Sequence, residues 1–285
     1  MPRLCFSLAY DGTGFAGSQV QRGQRTVQGV LETALATLDG AAVRAYFAGR
    51  TDTGVHAMGQ VVHADVQRAE WSEEKWRYAL NALLPPDVRI TTVREVAGDW
   101  HARYDARWRE YRYAMWNGPV VSPLTRHTCW HIRASLDLAA MRTAARYLVG
   151  EQDFASFTGD GKGVPDAVVV VNTVRTVRVA DWTTARRLEP VAGVSLTFRV
   201  EANGFLPHMV RNIVGALVTV GRGEHEPDWF ANLLQMRNRR LAPATAPPQG
   251  LILWRVRYDE ENDGGNDDAN NDDNDLFAES GGSDT

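Results

Sequence analysis

The order of apolar patterns in residues 1–105 limits the chain to few folds. An apolar, strand-like run covers residues 3–9, and from Thr26 apolar residues recur at the spacing of one face of an amphipathic helix until Asp39-Gly40 ends the pattern. Two strand-like runs, a second helix and a last strand-like run follow. They lie at residues 43–48, at 60–66, from Ser72 to before Pro85-Pro86, and at 88–96. The elements therefore occur in the order β-α-β-β-α-β.

A comparable order follows in residues 106–258. Strand-like runs cover residues 111–116, 168–179, 194–201 and 251–258. Helix patterns run from about Asp137 to Val149, from a first turn that contains Pro207, and from Pro227. The repeated order is the split βαβ pattern of ferredoxin-like domains. We therefore predict an α+β fold in which two tandem ferredoxin-like units, residues 1–105 and 106–258, form an antiparallel-rich sheet with helices on one side.

The last 27 residues differ in charge from the rest of the chain. Residues 259–285 contain eleven of the 35 acids and none of the 31 bases, which leaves 24 acids against 31 bases and a charge of +7 in residues 1–258. We predict that this segment is a disordered acidic tail. Two roles are open for it: competition with RNA for the basic surface, or solubility, which we favour.

The basic body suggests a polyanionic partner. All of its bases except Lys75 and Lys162 are arginines, which bind phosphate in bidentate fashion and stack on nucleic-acid bases. Codon usage alone could produce the same ratio, so the arginine excess is mild support for nucleic-acid binding.

The remaining composition is ordinary for a soluble globular protein, with 44% hydrophobic residues. We expect a cytoplasmic protein with no membrane association, because no apolar run approaches the length of a bilayer span and the N-terminus lacks a small-residue cleavage site. Cys5 and Cys129 are too few for a disulfide framework or a cysteine-rich metal site. We expect both to be buried.

A polar loop at residues 49–57, between two of the strand-like runs, contains the first candidate site. Gly49 and Gly54 bracket it, which allows sharp bends on both sides and presents Asp52 at the tip. Arg50 lies two residues before Asp52, and His56 lies four residues after it. Loops on rigid strands commonly carry catalytic residues. A hairpin turn in which Asp52 serves only the turn is an equally good interpretation of the spacing.

The glycines Gly12, Gly14 and Gly17 form a literal G-x-G-x-x-G. This pattern indicates a dinucleotide site only where a helix opens on the third glycine and an acid ends a second strand about 20 residues later. Here the helix pattern starts near Thr26, and Glu32 lies inside it. A nucleotide-dependent oxidoreductase is therefore the weakest of our functional hypotheses.

Three further stretches carry candidate residues. Basic and aromatic residues alternate at 101–113, where Tyr111 shares a strand face with Arg109, as phosphate contact and base stacking both require. In the helix pattern after residue 207, Arg211 lies beside the apolar stripe in the first turn, where the helix dipole disfavours a cation, so a carboxylate partner elsewhere is expected. An ordinary surface arginine is the alternative. The turn and strand at 247–253 would supply an apolar wall, or simply core.

Taken together, these stretches resemble the tRNA pseudouridine synthase A (TruA) family. The matching motifs occur in the family's order between residues 4 and 258: Tyr10-Asp11-Gly12-Thr13-x-Phe15-x-Gly17, the loop 49–57, Trp100-His101-Ala102-Arg103-Tyr104, Tyr111-Arg112-Tyr113 and His208-Met209-Val210-Arg211-Asn212-Ile213-Val214-Gly215. Three departures bear on the target position and the RNA contacts. They are Thr53 in place of a more frequent Ala, Ser18 in place of a common Trp, and the divergent stretch 160–165.

The resemblance implies a pseudouridine synthase fold and an isomerase that converts uridine to pseudouridine in the tRNA anticodon arm, at positions 38–40, as a homodimer without cofactor or metal. It implies that Asp52 is the reacting carboxylate and that Arg211 pairs with it, which would keep it ionised in a pocket that excludes water. It also implies that Tyr111 packs on the target base and helps to move the C5 proton, and that Arg50 enters the gap left by the flipped nucleotide. Whether Asp52 attacks C6, attacks C1′ or deprotonates C2′ stays open. A tRNA-binding module without turnover is the alternative function.

Overall fold

The computed structural model of the chain describes residues 1–159, 172–185 and 192–258. The predicted acidic tail, the stretch 160–165 and the start of the predicted strand 168–179 lie outside these ranges. Ten strands and five α-helices occur within them. The strands are β1 Arg3–Tyr10, β2 Tyr46–Phe47, β3 His56–Asp65, β4 Val88–Val96, β5 Trp108–Asn117, β6 Trp130–Ile132, β7 Gly150–Asp153, β8 Val174–Ala185, β9 Val194–Ala202 and β10 Leu251–Arg257. The helices are α1 Val27–Asp39, α2 Glu73–Leu83, α3 Leu138–Arg146, α4 Met209–Gly221 and α5 Pro227–Met236.

All ten strands form one sheet. Its order is β4-β1-β3-β10-β5-β9-β8-β7, with β2 paired to β3 and β6 paired to β5. The pairings are antiparallel except for β3 with β10 and β5 with β6. In each half the third strand of the unit lies between the first and the second, since β3 lies beside β1 and β2, and β9 lies beside β5 and β8. This is the split βαβ arrangement that the sequence predicts twice.

The two halves join along a short parallel contact. His56 and Ala57 of β3 lie opposite Ile252 and Leu253 of β10. The last strand of the second unit therefore completes the sheet beside the strand that follows the Asp52 loop. The boundary at residue 105 remains a prediction.

Capping side chains explain where three of the helices begin. The side chains of Thr26, Ser72 and Asp137 accept hydrogen bonds from the backbone N–H groups of the first turns of α1, α2 and α3. Such a cap stabilises a helix by about 1 kcal/mol. Gly40 ends α1 in the left-handed conformation, at φ 80°. These starts, and the end of α1, agree with the sequence prediction.

Helix α4 lies at the centre of the second half and contacts both α3 and α5. The predicted apolar stripe of this helix is buried. Its members are Met209, Val210, Ile213, Val214 and Leu217. Because α4 is fixed on this face, its first turn has a defined position relative to the sheet. Cys5 and Cys129 are both buried, as predicted.

Several predicted boundaries are wrong. The strand expected at 43–48 contains only Tyr46–Phe47, because the Ala45 backbone bonds to the side chains of Glu32 and Gln28 in α1 instead of to a neighbouring strand. Helix α4 begins at Met209 and not in a turn that contains Pro207, since a left-handed residue separates the two. Strands β6 and β7 were not predicted, and α3 ends at Arg146 instead of Val149. In the described ranges, no helix is both long and apolar enough to cross a membrane.

Candidate active site

A cleft of about 1050 Å³ is lined by three of the four predicted site residues, Arg50, Asp52 and Tyr111. Its walls come from the loop around Asp52, the segment 101–109 and the segment 203–210. Tyr111 of β5 and Leu251 of β10 also line it. Asp52 is 35% exposed at its side chain, so the cleft leaves the carboxylate accessible to a ligand.

The residue before Asp52 is fixed by the turn that follows β1. Ser18 Oγ accepts a hydrogen bond from the Thr51 N–H at 2.9 Å, and the Thr51 carbonyl accepts one from the Ser18 N–H at 3.0 Å. The hydroxyls of Tyr10 and Thr51 are 2.8 Å apart. After Asp52, Gly54 adopts φ 78°, a conformation that strains residues with a side chain. The backbone on both sides of Asp52 is therefore restrained.

The glycines of the G-x-G-x-x-G pattern pack against this loop. A Cβ on Gly12 would lie 2.0 Å from the Val55 carbonyl oxygen, and one on Gly17 would lie 2.8 Å from the Thr51 carbonyl oxygen. Helix α1 begins only at Val27, so the pattern lacks the helix on its third glycine that a dinucleotide site requires. The glycines permit close approach of two backbone segments, which the sequence alone did not indicate.

His56 connects the same two segments and does not line the cleft. Its Nδ1 accepts a hydrogen bond from the Gly12 N–H at 3.0 Å, and its Nε2 lies 2.9 Å from the His127 carbonyl oxygen. This pattern fits the tautomer with the proton on Nε2. His56 is 5% exposed, so its role is to hold the loop.

Arg211 is brought to Asp52 from the other half of the chain. Its Nη1 lies 3.1 Å from Asp52 Oδ2, and its Nε donates to the Ala246 carbonyl at 2.8 Å. The Arg211 side chain is only 15% exposed. The carbonyl contact orients the guanidinium, and the guanidinium then fixes one oxygen of the carboxylate.

A second side chain, that of His208, lies at the same carboxylate. It was not among the candidate site residues that the sequence indicated. Its Nε2 lies 3.4 Å from Asp52 Oδ2. The residue directly precedes α4 and adopts the left-handed conformation, at φ 59° and ψ 4°, which costs about 1–2 kcal/mol for a residue with a Cβ. The only sequence signal for His208 was its place three residues before Arg211 in a family motif.

Tyr111 is 8% exposed and packs edge-on against Phe205, with ring centroids 4.9 Å apart. Burial raises the pKa of the Tyr111 hydroxyl well above its ordinary value, and the nearby Tyr10 and Asp52 raise it further. Tyr111 is therefore a neutral phenol at physiological pH. With Leu251 it forms an apolar surface beside the carboxylate.

Five arginines and one carboxylate line the cleft among the described residues. The arginines are Arg44, Arg50, Arg103, Arg109 and Arg175. Of these, Arg109 is part of the scaffold, since its guanidinium bonds to the carbonyls of Ala106, Asn203 and Arg103, and burial lowers its pKa. Arg50 is exposed and lies in the Asp52 loop, two residues before Asp52. Arg44 lies 3.3 Å from Glu32, so Arg50, Arg103 and Arg175 supply most of the positive charge around the Asp52 carboxylate.

The arginines on another part of the sheet are compensated. Glu110 and Glu201 are both buried, and they form ion pairs with Arg112, Arg178 and Arg199. Because these charges are already paired, the cleft offers a polyanion more available positive charge than this surface does. In the described part of the chain, no group of three or more His, Cys, Asp or Glu residues could hold a metal ion.

A comparison with known families matches residues 7–105 and 144–259 to the model of the tRNA pseudouridine synthase family. The chain belongs to this family. The matched ranges contain Asp52, Arg50 and Arg211, whereas Tyr111 lies between them. The Asp52 cleft is therefore formed largely by segments that the pseudouridine synthase family shares.

Curated relatives match nearly the whole described chain. The tRNA pseudouridine synthase A of Solidesulfovibrio magneticus is 48% identical over 263 residues, which cover 90% of this chain and 92% of the relative. The proteins of the same name from Brevibacillus brevis and Chloroflexus aurantiacus are 43% and 46% identical, over 90% of this chain and 100% and 89% of their own lengths.

Proposed function

We propose that this chain converts uridine to pseudouridine in the anticodon arm of tRNA, at positions 38–40, with Asp52 as the reacting carboxylate. Membership of the family supports the isomerisation of tRNA uridine. The observation that carries the assignment of the site is the pairing of Asp52 with Arg211, at 3.1 Å, where Asp52 lines a cleft that five arginines also line.

The reaction needs an ionised oxygen and an empty space beside it. The C1′–N1 bond of uridine breaks, a C1′–C5 bond forms, C5 loses a proton and N1 gains one, so that no atom is lost overall. Arg211 and His208 both lie at Oδ2 of Asp52, and within the described ranges no residue forms a hydrogen bond or ion pair with Oδ1. Oδ1 is therefore the oxygen that faces the nucleoside. Attack on C6, attack on C1′ and deprotonation of C2′ all use it in this position.

The target uridine has to leave its helix to reach the carboxylate. Extrusion of a base costs a few kcal/mol, and stacking on an aromatic side chain returns about 1–3 kcal/mol. Tyr111 and Leu251 provide the apolar surface for the extruded uracil. The raised pKa of Tyr111 makes its phenolate scarce at neutral pH, so we assign it stacking and not removal of the C5 proton.

Arg103 and Arg175, which also line the cleft, bind the RNA backbone. Arg50 lies in the same loop as Asp52 and is exposed, which suits insertion into the space that the flipped nucleotide leaves. We also propose a homodimer, because the cleft of one chain is small relative to an L-shaped tRNA. Light scattering that shows a fully active monomer would exclude the dimer.

The direct test is the conversion of an unmodified tRNA transcript by the purified full-length chain. Because pseudouridine has the same mass as uridine, the RNA is first treated with a carbodiimide whose adduct survives alkali only on pseudouridine. Digestion and mass spectrometry should then locate this adduct at positions 38–40. Transcripts in which cytidine replaces uridine at these positions are the matched controls and should give no product. Product elsewhere in the tRNA would refute the target position. Tight tRNA binding without any product would show a binding module instead of an enzyme.

A further inference from the structure

Two side chains of the second half lie at the same oxygen of Asp52. Arg211 Nη1 is 3.1 Å and His208 Nε2 is 3.4 Å from Oδ2. The guanidinium already provides the positive charge that the carboxylate needs. The imidazole therefore either has a different function at the carboxylate, or His208 serves only the backbone turn before α4.

The backbone at His208 shows that the chain tolerates strain to place this residue. Among the described non-glycine residues, only His208 and Arg237 have a positive φ. Glycine would adopt the same conformation without strain. The His208 side chain does not cap α4, since it forms no hydrogen bond to the N–H groups of the first turn. Neither the backbone turn nor the cap explains a histidine here.

Only one nitrogen of the His208 ring, Nε2, has a polar neighbour among the described residues. In the described ranges, Nδ1 of His208 is buried and has no hydrogen-bond partner. If the proton is on Nε2, that nitrogen is a donor toward Asp52 and Nδ1 keeps only a lone pair. The 3.4 Å separation of His208 Nε2 and Asp52 Oδ2 is an ion-pair distance and not an aligned hydrogen bond. Catalytic hydrogen bonds are commonly long or poorly aligned before the substrate binds and tighten in the substrate complex.

We propose that His208 is a positioning residue for the reaction: its Nε2–H donates to Oδ2 of Asp52, and together with Arg211 it turns Oδ1 toward the nucleoside. Arg211 approaches from the first turn of α4 and His208 from the residue before it, so the two donors hold one oxygen from two directions. A carboxylate with two donors on one oxygen has little freedom to rotate. This inference rests on the proposed role of Asp52.

Two substitutions distinguish the effect of the His208 side-chain donor from the effect of its backbone conformation. His208→Asn keeps a side chain that tolerates the left-handed conformation, but its amide is too short to reach Asp52. His208→Gln carries an amide N–H at about the distance of Nε2 from the backbone. We expect His208→Asn to lower the single-turnover rate constant at least about tenfold while the tRNA Kd changes less than about twofold, and His208→Gln to stay within about threefold of wild type.

The controls test folding and the site itself. His225→Asn, at an exposed position between α4 and α5, should leave the rate unchanged. His208→Gly should unfold no earlier than wild type, because it relieves the backbone strain, and yet be as slow as His208→Asn. Asp52→Asn is measured beside these variants. An active Asp52→Asn would refute the proposed site, whereas an inactive Asp52→Asn with an active His208→Asn would refute only the role of His208.

Two further outcomes would overturn the inference. If His208→Gln is as slow as His208→Asn, then the ring acts by moving a proton and not by donating a fixed hydrogen bond. If the loss in His208→Asn appears in the tRNA Kd and not in the rate constant, then the ring contacts RNA.

Discussion

Arg211→Ala removes the guanidinium that connects the two halves of the chain at the proposed site. In the wild-type structure this group contacts Asp52 Oδ2 at 3.1 Å and the Ala246 carbonyl at 2.8 Å. The variant leaves the carboxylate with His208 as its remaining partner among the described residues. Since α4 stays buried along its apolar stripe, the change should affect the site far more than the fold.

The size of the effect follows from the exposure of the pair. A hydrogen bond to a charged group contributes about 1.5–3 kcal/mol. Asp52 is 35% exposed, so water replaces part of the lost contact and a loss of about 2 kcal/mol is expected. Because about 1.4 kcal/mol corresponds to a tenfold change in rate, the single-turnover rate constant should fall about 30-fold.

The assay is tritium release from tRNA labelled at uridine C5, with enzyme in excess, beside a filter-binding measurement of the tRNA Kd. Arg222→Ala is the matched control, because Arg222 lies at the far end of α4 and is exposed. We expect Arg211→Ala to lose rate with nearly unchanged Kd, and Arg222→Ala to lose neither. A loss confined to Kd would refute the reasoning, because it would mean that Arg211 binds RNA phosphate and does not hold Asp52.

Three further predictions concern the scaffold and the charge. Gly12→Ala would place a Cβ 2.0 Å from the Val55 carbonyl oxygen, so calorimetry should show a free energy of unfolding lower by about 1–3 kcal/mol. Gly98→Ala is the control and should be unaffected, because its Cβ would meet no atom within 4 Å. Burial lowers the pKa of His63 to about 4, so the folded protein holds this ring neutral at pH values where the unfolded chain protonates it. The contribution of His63 to the free energy of unfolding is therefore complete above about pH 6.5. It is lost as the pH falls toward 4, by up to about 1.4 kcal/mol per pH unit. The free energy of unfolding, measured by urea titration at a series of pH values, should fall less steeply with decreasing pH in His63→Asn than in wild type. An equally steep fall in both proteins would contradict the prediction. Deleting residues 259–285 changes the formal charge from −4 to +7, so non-specific RNA should bind more tightly at about 50 mM salt and the difference should shrink at about 200 mM; unchanged affinity at low salt would contradict this.

The helices were predictable because their ends carry local chemistry. Thr26, Ser72 and Asp137 each cap a helix that begins at the next residue, and Gly40 ends α1. These signals act within one turn of the chain and do not depend on the rest of the fold. The order of the elements in each half followed from them, and with it the split βαβ topology.

The strands at the edges were less predictable. Strand β7 has the polar sequence Gly150–Asp153 and pairs only with β8 in the described sheet, and β6 has three residues. Strands this short show no alternation that distinguishes them from loop, because their pairing is decided by distant neighbours. The short β2 has the opposite explanation, since side chains of α1 bond to the backbone where strand was expected.

The site and the pairing of Asp52 with Arg211 were predicted through the resemblance, whereas the other contacts around Asp52 were not. The sequence showed Asp52 and Arg211 as candidates, but nothing in the spacing indicates that residues this far apart in the chain lie 3.1 Å from each other. The packing of Gly12 and Gly17 on the loop and the approach of His208 are also long-range effects. Such contacts depend on how the two halves join, which local patterns do not encode.

The central claim is that the Asp52 carboxylate is the group that reacts with the nucleoside. Asp52→Asn keeps the size of the side chain and a hydrogen-bond acceptor, but removes the charge. Tritium release from C5-labelled tRNA under single-turnover conditions tests the claim directly, with Asp99→Asn at an exposed turn as the matched control. The account predicts that Asp52→Asn binds tRNA but releases no tritium above background, while Asp99→Asn reacts at the wild-type rate. Release by Asp52→Asn at the wild-type rate would contradict it.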